Sequence, residues 1–150
     1  MGREPLSDND LIPAKKYNIS IVTPDFEGEK TFYSNGAVES IKTTDGTAYF
    51  SPDGKVTKLT SKDIEIVSMD ENELCIIEKL DENKERTTCY YENAINIKYV
   101  DGNKYKELEL TPKLTPIRYE ERILEEDGDS DSKLVYYYDK AGFLNEVYQF

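Results

Sequence analysis

Five Asx-Gly dipeptides, Asn35-Gly36, Asp45-Gly46, Asp53-Gly54, Asp101-Gly102 and Asp127-Gly128, cut this chain into short runs. Each dipeptide suits the positive φ angles of a tight hairpin turn, because glycine pays no Cβ penalty there and Asn or Asp tolerates it best among the rest. The runs between them are rich in Ile, Val, Tyr, Phe and Thr, the residues that fit a pleated surface. The best helical window, Ser61 to Leu80, still alternates Ile64 with Ile66 and Leu74 with Ile76 at period two, as a strand does. Strands are therefore predicted over 17–23, 29–33, 37–43, 47–51, 55–59, 63–68, 73–80, 85–92, 95–100, 103–110, 117–125, 133–139 and 143–149. The fold class is all-β: an antiparallel β-hairpin meander with little helix, arranged as a single twisted sheet, a sandwich or an open barrel. Residues 1–16 are polar, hold Pro5 and Pro13 and show neither periodicity, so they read as a flexible N-terminal tail before a single β domain over 17–150.

Composition narrows how such a sheet is covered. Only 37% of the residues are hydrophobic, which is lean for a compact globule, while 12 Tyr and 5 Phe are too many aromatics for a disordered chain. Thin or extended β-structure with one poorly covered face reconciles the two. The net charge of -12 sets up a field that repels phosphate backbones and anionic lipid, so nucleic acid is excluded as the natural ligand. A basic protein partner, a cation or a neutral glycan fits better, the competing reading being an acidic surface that serves solubility alone. No apolar stretch reaches the ~18 residues that span a membrane, and residues 1–16 lack the apolar core of a signal peptide.

A short unit recurs along the chain: an aromatic strand end, a turn closed by Gly, and a returning aliphatic strand. Its copies are Phe32-Tyr33-Ser34-Asn35-Gly36-Ala37-Val38, Tyr49-Phe50-Ser51-Pro52-Asp53-Gly54-Lys55-Val56 and Tyr137-Tyr138-Asp139-Lys140-Ala141-Gly142-Phe143-Leu144. The run Tyr136 to Val147 resembles the tyrosine-aspartate repeat of Rhs-type surface and toxin shells. Phe32 to Thr60 is similar to the variant MORN repeats of bacterial YwqK-type antitoxin proteins. Both resemblances imply β-hairpin scaffolds of bacterial origin without catalytic residues of their own, and residues 61–125 depart from both patterns.

The absence of His removes the common nucleophile systems and the usual neutral-pH proton shuttle, leaving carboxylate chemistry of the glycosidase kind as the only familiar enzymatic route. Asp127, Asp129 and Asp131 alternate as the oxygen ligands of a calcium loop do, yet positions six and twelve of an EF-hand are here Ser132 and Tyr138; a solvated acidic turn is the competing reading. Cys75 and Cys89 flank a hairpin with its loop near 81–84. An odd loop sets them face to face, where a disulfide in an oxidising compartment competes with a pair of buried thiols, whereas a two-residue loop turns them to opposite faces. Adjacent strand residues point opposite ways, so the tyrosine-rich strands carry rings on both faces; Tyr136, Tyr138, Tyr91 and Tyr119 are the candidate partner-binding residues, with cross-strand aromatic pairing as the alternative.

The expected function is a non-catalytic binding or structural module that contacts another protein through its sheet surface or edge, at a bacterial cell surface or secreted rather than in the cytoplasm. The alternative is an acidic immunity or antitoxin protein that neutralises a basic toxin. A carboxylate-based enzyme is the third reading. No cofactor is expected beyond the calcium that the aspartate loop suggests.

Overall fold

The computed structural model describes residues 8–70, 73–124 and 130–150. Among them, twelve strands form one open antiparallel sheet in sequence order: β1 (Glu29–Phe32), β2 (Val38–Lys42), β3 (Thr47–Phe50), β4 (Val56–Thr60), β5 (Ile64–Asp70), β6 (Glu73–Asp81), β7 (Lys84–Tyr90), β8 (Ile95–Asp101), β9 (Lys104–Leu110), β10 (Pro116–Leu124), β11 (Ser130–Tyr138) and β12 (Leu144–Gln149). Of the three arrangements open to a hairpin meander, the single sheet is the one adopted. The first expected strand, 17–23, is instead a non-sheet segment with a 3-10 turn at Ile19–Ile21, because it crosses the sheet rather than joining it.

The registers create one unbroken cross-strand row on the inner face: Lys30, Ile41, Ala48, Leu59, Ile66, Ile76, Thr88, Ile97, Leu108, Tyr119, Tyr136 and Val147. Each is directly opposite the next, the arrangement in which cross-strand side chains touch. The members from Ile41 to Tyr136 are buried or half-buried and seed three core clusters. A one-sheet protein needs something to cover that row, and the chain supplies it from its own N-terminal side. Asn9–Leu11 lies against β8 and β9, and Ile19–Ile21 lies against β4. Between them Leu11, Ala14 and Ile19 are buried in the core clusters, and Val22 packs beside Ile41 and Phe50.

This strap is fixed by polar contacts as well. At its middle, Ala14 N–H donates to Thr88 Oγ1 at 3.1 Å, and Tyr90 donates its hydroxyl to the Ala14 carbonyl. Thr88, fully buried among the apolar and aromatic members that run from Ile41 to Tyr136, is thereby explained: a buried backbone N–H must find an acceptor. At its start, Lys106 Nζ lies 2.7 Å from Asp8 and 3.3 Å from Asp10. Residues 8–16, expected as part of a flexible tail, therefore lie packed on the sheet.

The recurring unit takes one conformation. In the turns starting at Tyr33, Ser51 and Asp139, the first residue's N–H reaches the carbonyl four residues on, and the glycine N–H returns to the first carbonyl. Gly36, Gly54 and Gly142 hold φ of +88°, +90° and +89°. A register shift follows each turn, the bulge that a three-residue hairpin loop requires. The β9–β10 turn repeats the same two hydrogen bonds from Thr111, with Leu114 at φ +68° in the glycine position. The repeat thus extends into the region where the sequence pattern is lost.

Candidate protein-binding surface

The outer face alternates with the inner one and is mixed across β1 to β7, where Tyr49, Val67, Ile77, Cys75 and Cys89 stand among Thr, Ser, Lys and Glu side chains. Thr31 and Ser40 pair their hydroxyls at 2.6 Å, and Lys58 meets Glu65 at 3.0 Å. From β8 onward the face carries a connected network instead. Glu107 accepts from Asn96 Nδ2 at 2.8 Å and from the Tyr105 hydroxyl. Directly opposite Glu107, Glu120 is 1% exposed although it sits on the outer face. Arg118 and Arg122 close over it with charge-assisted hydrogen bonds, and Lys133 Nζ stands 3.4 Å away. Burial works to raise the Glu120 carboxyl, but the hydrogen bonds and charges of Arg122 and Arg118 outweigh it and hold it below its ordinary value. Such a carboxylate stays ionised and cannot donate a proton near neutral pH. Arg122 also lies over the Tyr105 ring, 5.4 Å from its centroid.

The network ends in an aromatic patch at the β12 edge. Arg118 bonds the Tyr137 hydroxyl, Tyr137 meets Tyr148 edge-on at 5.8 Å, Tyr148 stacks on Phe150 at 6.5 Å, and Lys133 Nζ lies 5.5 Å over the Phe150 ring. Tyr137, Tyr148 and Phe150 are 40%, 45% and 73% exposed. The Tyr148 hydroxyl donates to Glu146, and that bond with the neighbouring charge raises its pKa. Val135, their neighbour on β11, is buried. All six residues of β12 are exposed, and Glu146 is the single charged residue among them. Phe150 N–H bonds back to Lys133, so by antiparallel alternation Tyr148 and Glu146 also direct their amides to β11. The N–H and C=O groups of Val147 and Gln149 therefore point away from the sheet, the template on which another strand pairs.

The expected contact residues fall differently. Tyr119 and Tyr136 are 5% and 6% exposed and pack edge-on at 5.5 Å inside the inner-face core, so they are not surface residues. Burial and Glu121 push the Tyr119 hydroxyl pKa strongly up. Tyr138 is half-buried against the same cluster. Tyr91 is exposed at the β7–β8 turn, five strands from β12, with its hydroxyl bonded to Glu73. The sequence placed the aromatics correctly on two faces of β11 but selected the wrong parity: Tyr136 and Tyr138 face inward, and Tyr137 between them faces out. The signal that finds Tyr137 is Thr88, Ile97, Leu108 and Tyr119 opposing one another in register with Tyr136, which requires the bulges to be known.

Asp127 and Asp129 of the expected calcium loop lie outside the described residues, and Asp131 falls within β11. Cys75 and Cys89 are directly opposed, with Cα atoms 4.1 Å apart, and form a disulfide. The hairpin has a two-residue turn, but a bulge between Lys79 and Asp81 restores the register that brings both sulfurs to one face. Glu73, Cys75 and Cys89 bring ligand atoms within 4.8 Å of one another, yet both sulfurs are committed to the bond. Among the described residues, no helix is long and apolar enough to cross a membrane. The chain matches no protein-family model, no curated protein and no solved structure.

Proposed function

We propose that this protein is a non-catalytic binding module that takes a strand of a partner protein along β12. The observation that carries this reading is the β12 edge itself: six exposed residues with one charge, outward-facing backbone groups at Val147 and Gln149, and Tyr137, Tyr148 and Phe150 beside them. Backbone pairing supplies affinity in such a mode, and aromatic side chains on one face supply specificity at small entropic cost. The network from Glu107 to Arg118 stiffens the strands behind the patch, so little order is lost on docking. The charge of -12 favours a basic partner and a fast, salt-sensitive association, which is the chemistry an immunity or antitoxin protein needs. The Cys75–Cys89 bond favours an oxidising location such as a cell surface.

A photo-crosslinking amino acid at Gln149, with Lys98 on the middle of the outer face as the control position, tests the site. Crosslinks to one protein from position 149 and not from 98 support the reading. Once that protein is purified, Gln149→Pro should abolish binding while leaving the β11–β12 bonds intact, since it removes an N–H that faces away from β11. Crosslinks confined to position 98, or unchanged affinity of Gln149→Pro, overturn it.

A further inference from the structure

At the other end of the inner face the strap does not seal the sheet. Between Val22 and Phe26 of the strap and Ile41, Ala48, Leu59 and Ile66 of the row lies a cavity of about 230 Å³. Its origin is legible in the row: Ala48 is the smallest residue, flanked by Ile41 and Leu59, and its methyl leaves the space that a larger side chain would fill. The strap, pinned at Ala14 by Thr88 and Tyr90, has Phe26 half-exposed where it borders this space. Thr43, Asp45, Thr60 and Ser61 complete the lining, and Asp45, its one acidic residue, is exposed at the β2–β3 turn. Gly46 lets the β2–β3 turn press on β4, since a Cβ there would stand 2.0 Å from the Thr60 carbonyl, and this contact fixes the rim's shape.

We infer that this cavity binds a small apolar amine, its hydrocarbon body on Ala48 and its ammonium group at the Asp45 rim. An engineered apolar cavity of about 150 Å³ holds a benzene molecule, so the present one takes one ring or a short alkyl chain. Water is a poor occupant of the floor, where Ile41, Ala48, Leu59 and Ile66 present only hydrocarbon side chains, because a buried water needs two or more polar partners. Charge selects among apolar ligands: Asp45 at the mouth and the net charge of -12 oppose a carboxylate head and attract a cation. This site lies on β2–β5, at the opposite end of the sheet from β12, and stands independently of the edge-docking reading.

Hexylamine, phenethylamine, 1-hexanol and hexanoate serve as probes in a methyl-detected NMR titration of the whole chain. Saturable shifts of the Ile41, Ala48 and Ile66 methyls by the amines, with affinity on the order of tenfold above hexanoate, support the site; tenfold corresponds to about 1.4 kcal/mol, the scale of one favourable charge contact. Ala48→Leu should abolish those shifts while the protein melts at the same temperature or higher. Asp45→Asn should bring amine and hexanoate affinities together and leave hexanol unchanged, which a merely structural role for Asp45 does not do. Absence of saturable shifts at millimolar amine, or shifts that persist in Ala48→Leu, overturns the inference; a raised melting temperature of Ala48→Leu with no binding by the parent protein identifies a packing void.

Discussion

The two edges of the sheet end the same cross-strand row in opposite ways. At β1 the row ends in Lys30, on a four-residue strand whose other members include Glu29 and Thr31. At β12 it ends in Val147, 46% exposed, on a six-residue strand with a single charge. A short strand with an inward-facing lysine is a device that blocks edge pairing. A longer, nearly neutral strand with aromatics beside it invites pairing. The strap sharpens the contrast, for it covers the row from Leu11 at β8–β9 to Val22 near β2, and its two 3-10 turns lie against β4, β8 and β9. One sheet thus has a protected end and an available end, and the difference lies in a handful of residues rather than in the fold.

Loosening the strap is the strongest way to disturb that asymmetry. Thr88→Val keeps the shape of the row but leaves the Ala14 N–H buried without its acceptor, a loss of about 1–3 kcal/mol. For a chain of this size each kcal/mol lowers Tm by roughly 2–4 °C. Hydrogen exchange should show faster opening of β2–β8 amides, while β11 and β12 change little. Uniform acceleration across all twelve strands would mean that the sheet opens as one unit and that the two ends are not separable.

Glu120 tests the stiffness of the available end. Replacing it by Gln removes the charge that Arg118 and Arg122 enclose and should cost about 1–2 kcal/mol, toward the lower figure because both arginines remain partly solvated. The sign of the pH dependence follows from its lowered pKa. A carboxyl that is more acidic when folded stabilises the protein above its unfolded value, about 4.3, and the contribution is lost as pH falls through the lower folded value. The gap in stability between the parent and Glu120→Gln should therefore be constant from pH 8 to about 5 and close at lower pH. A gap that instead grows on acidification would assign Glu120 a neutral, proton-donating state.

Why the sequence revealed the sheet but not its ends has a physical basis. Asx-Gly turns and period-two alternation are local, so every strand from β1 to β12 was legible from short windows. Leu114 hid one copy of the repeat, because a leucine at positive φ is sterically unfavourable and no turn rule selects it; only the hydrogen bonds of Thr111 identify the turn. The strap was invisible for a different reason. Leu11 and Ala14 follow neither a strand nor a helix period, and Ile19 and Val22 fall in the run 17–23, which reads as a strand although it crosses the sheet instead of joining it. Which tyrosines face out depended on bulges near Tyr138 and Leu124, and one inserted residue inverts the parity of everything beyond it.

The smallest effect on stability should accompany the largest effect on the proposed docking. Val147→Lys gives β12 the device that β1 already has, a lysine at the end of the row. Val147 is nearly half-exposed and stands opposite Tyr136, so the change should alter stability by no more than about 0.5 kcal/mol. Partner capture through β12 should nevertheless fail, because a strand laid alongside would bury the new ammonium group without a counter-charge. The reciprocal change, Lys30→Val, removes the block at β1 and should produce concentration-dependent oligomers by light scattering, β1 of one copy meeting β12 of another in a head-to-tail contact that does not close. Salt should strengthen those oligomers, since it screens the repulsion between copies that each carry -12. If Lys30→Val stays monomeric at high salt and Val147→Lys still binds the partner, the lysine and the valine are not what distinguishes the two edges, and the contact must lie on a face of the sheet instead.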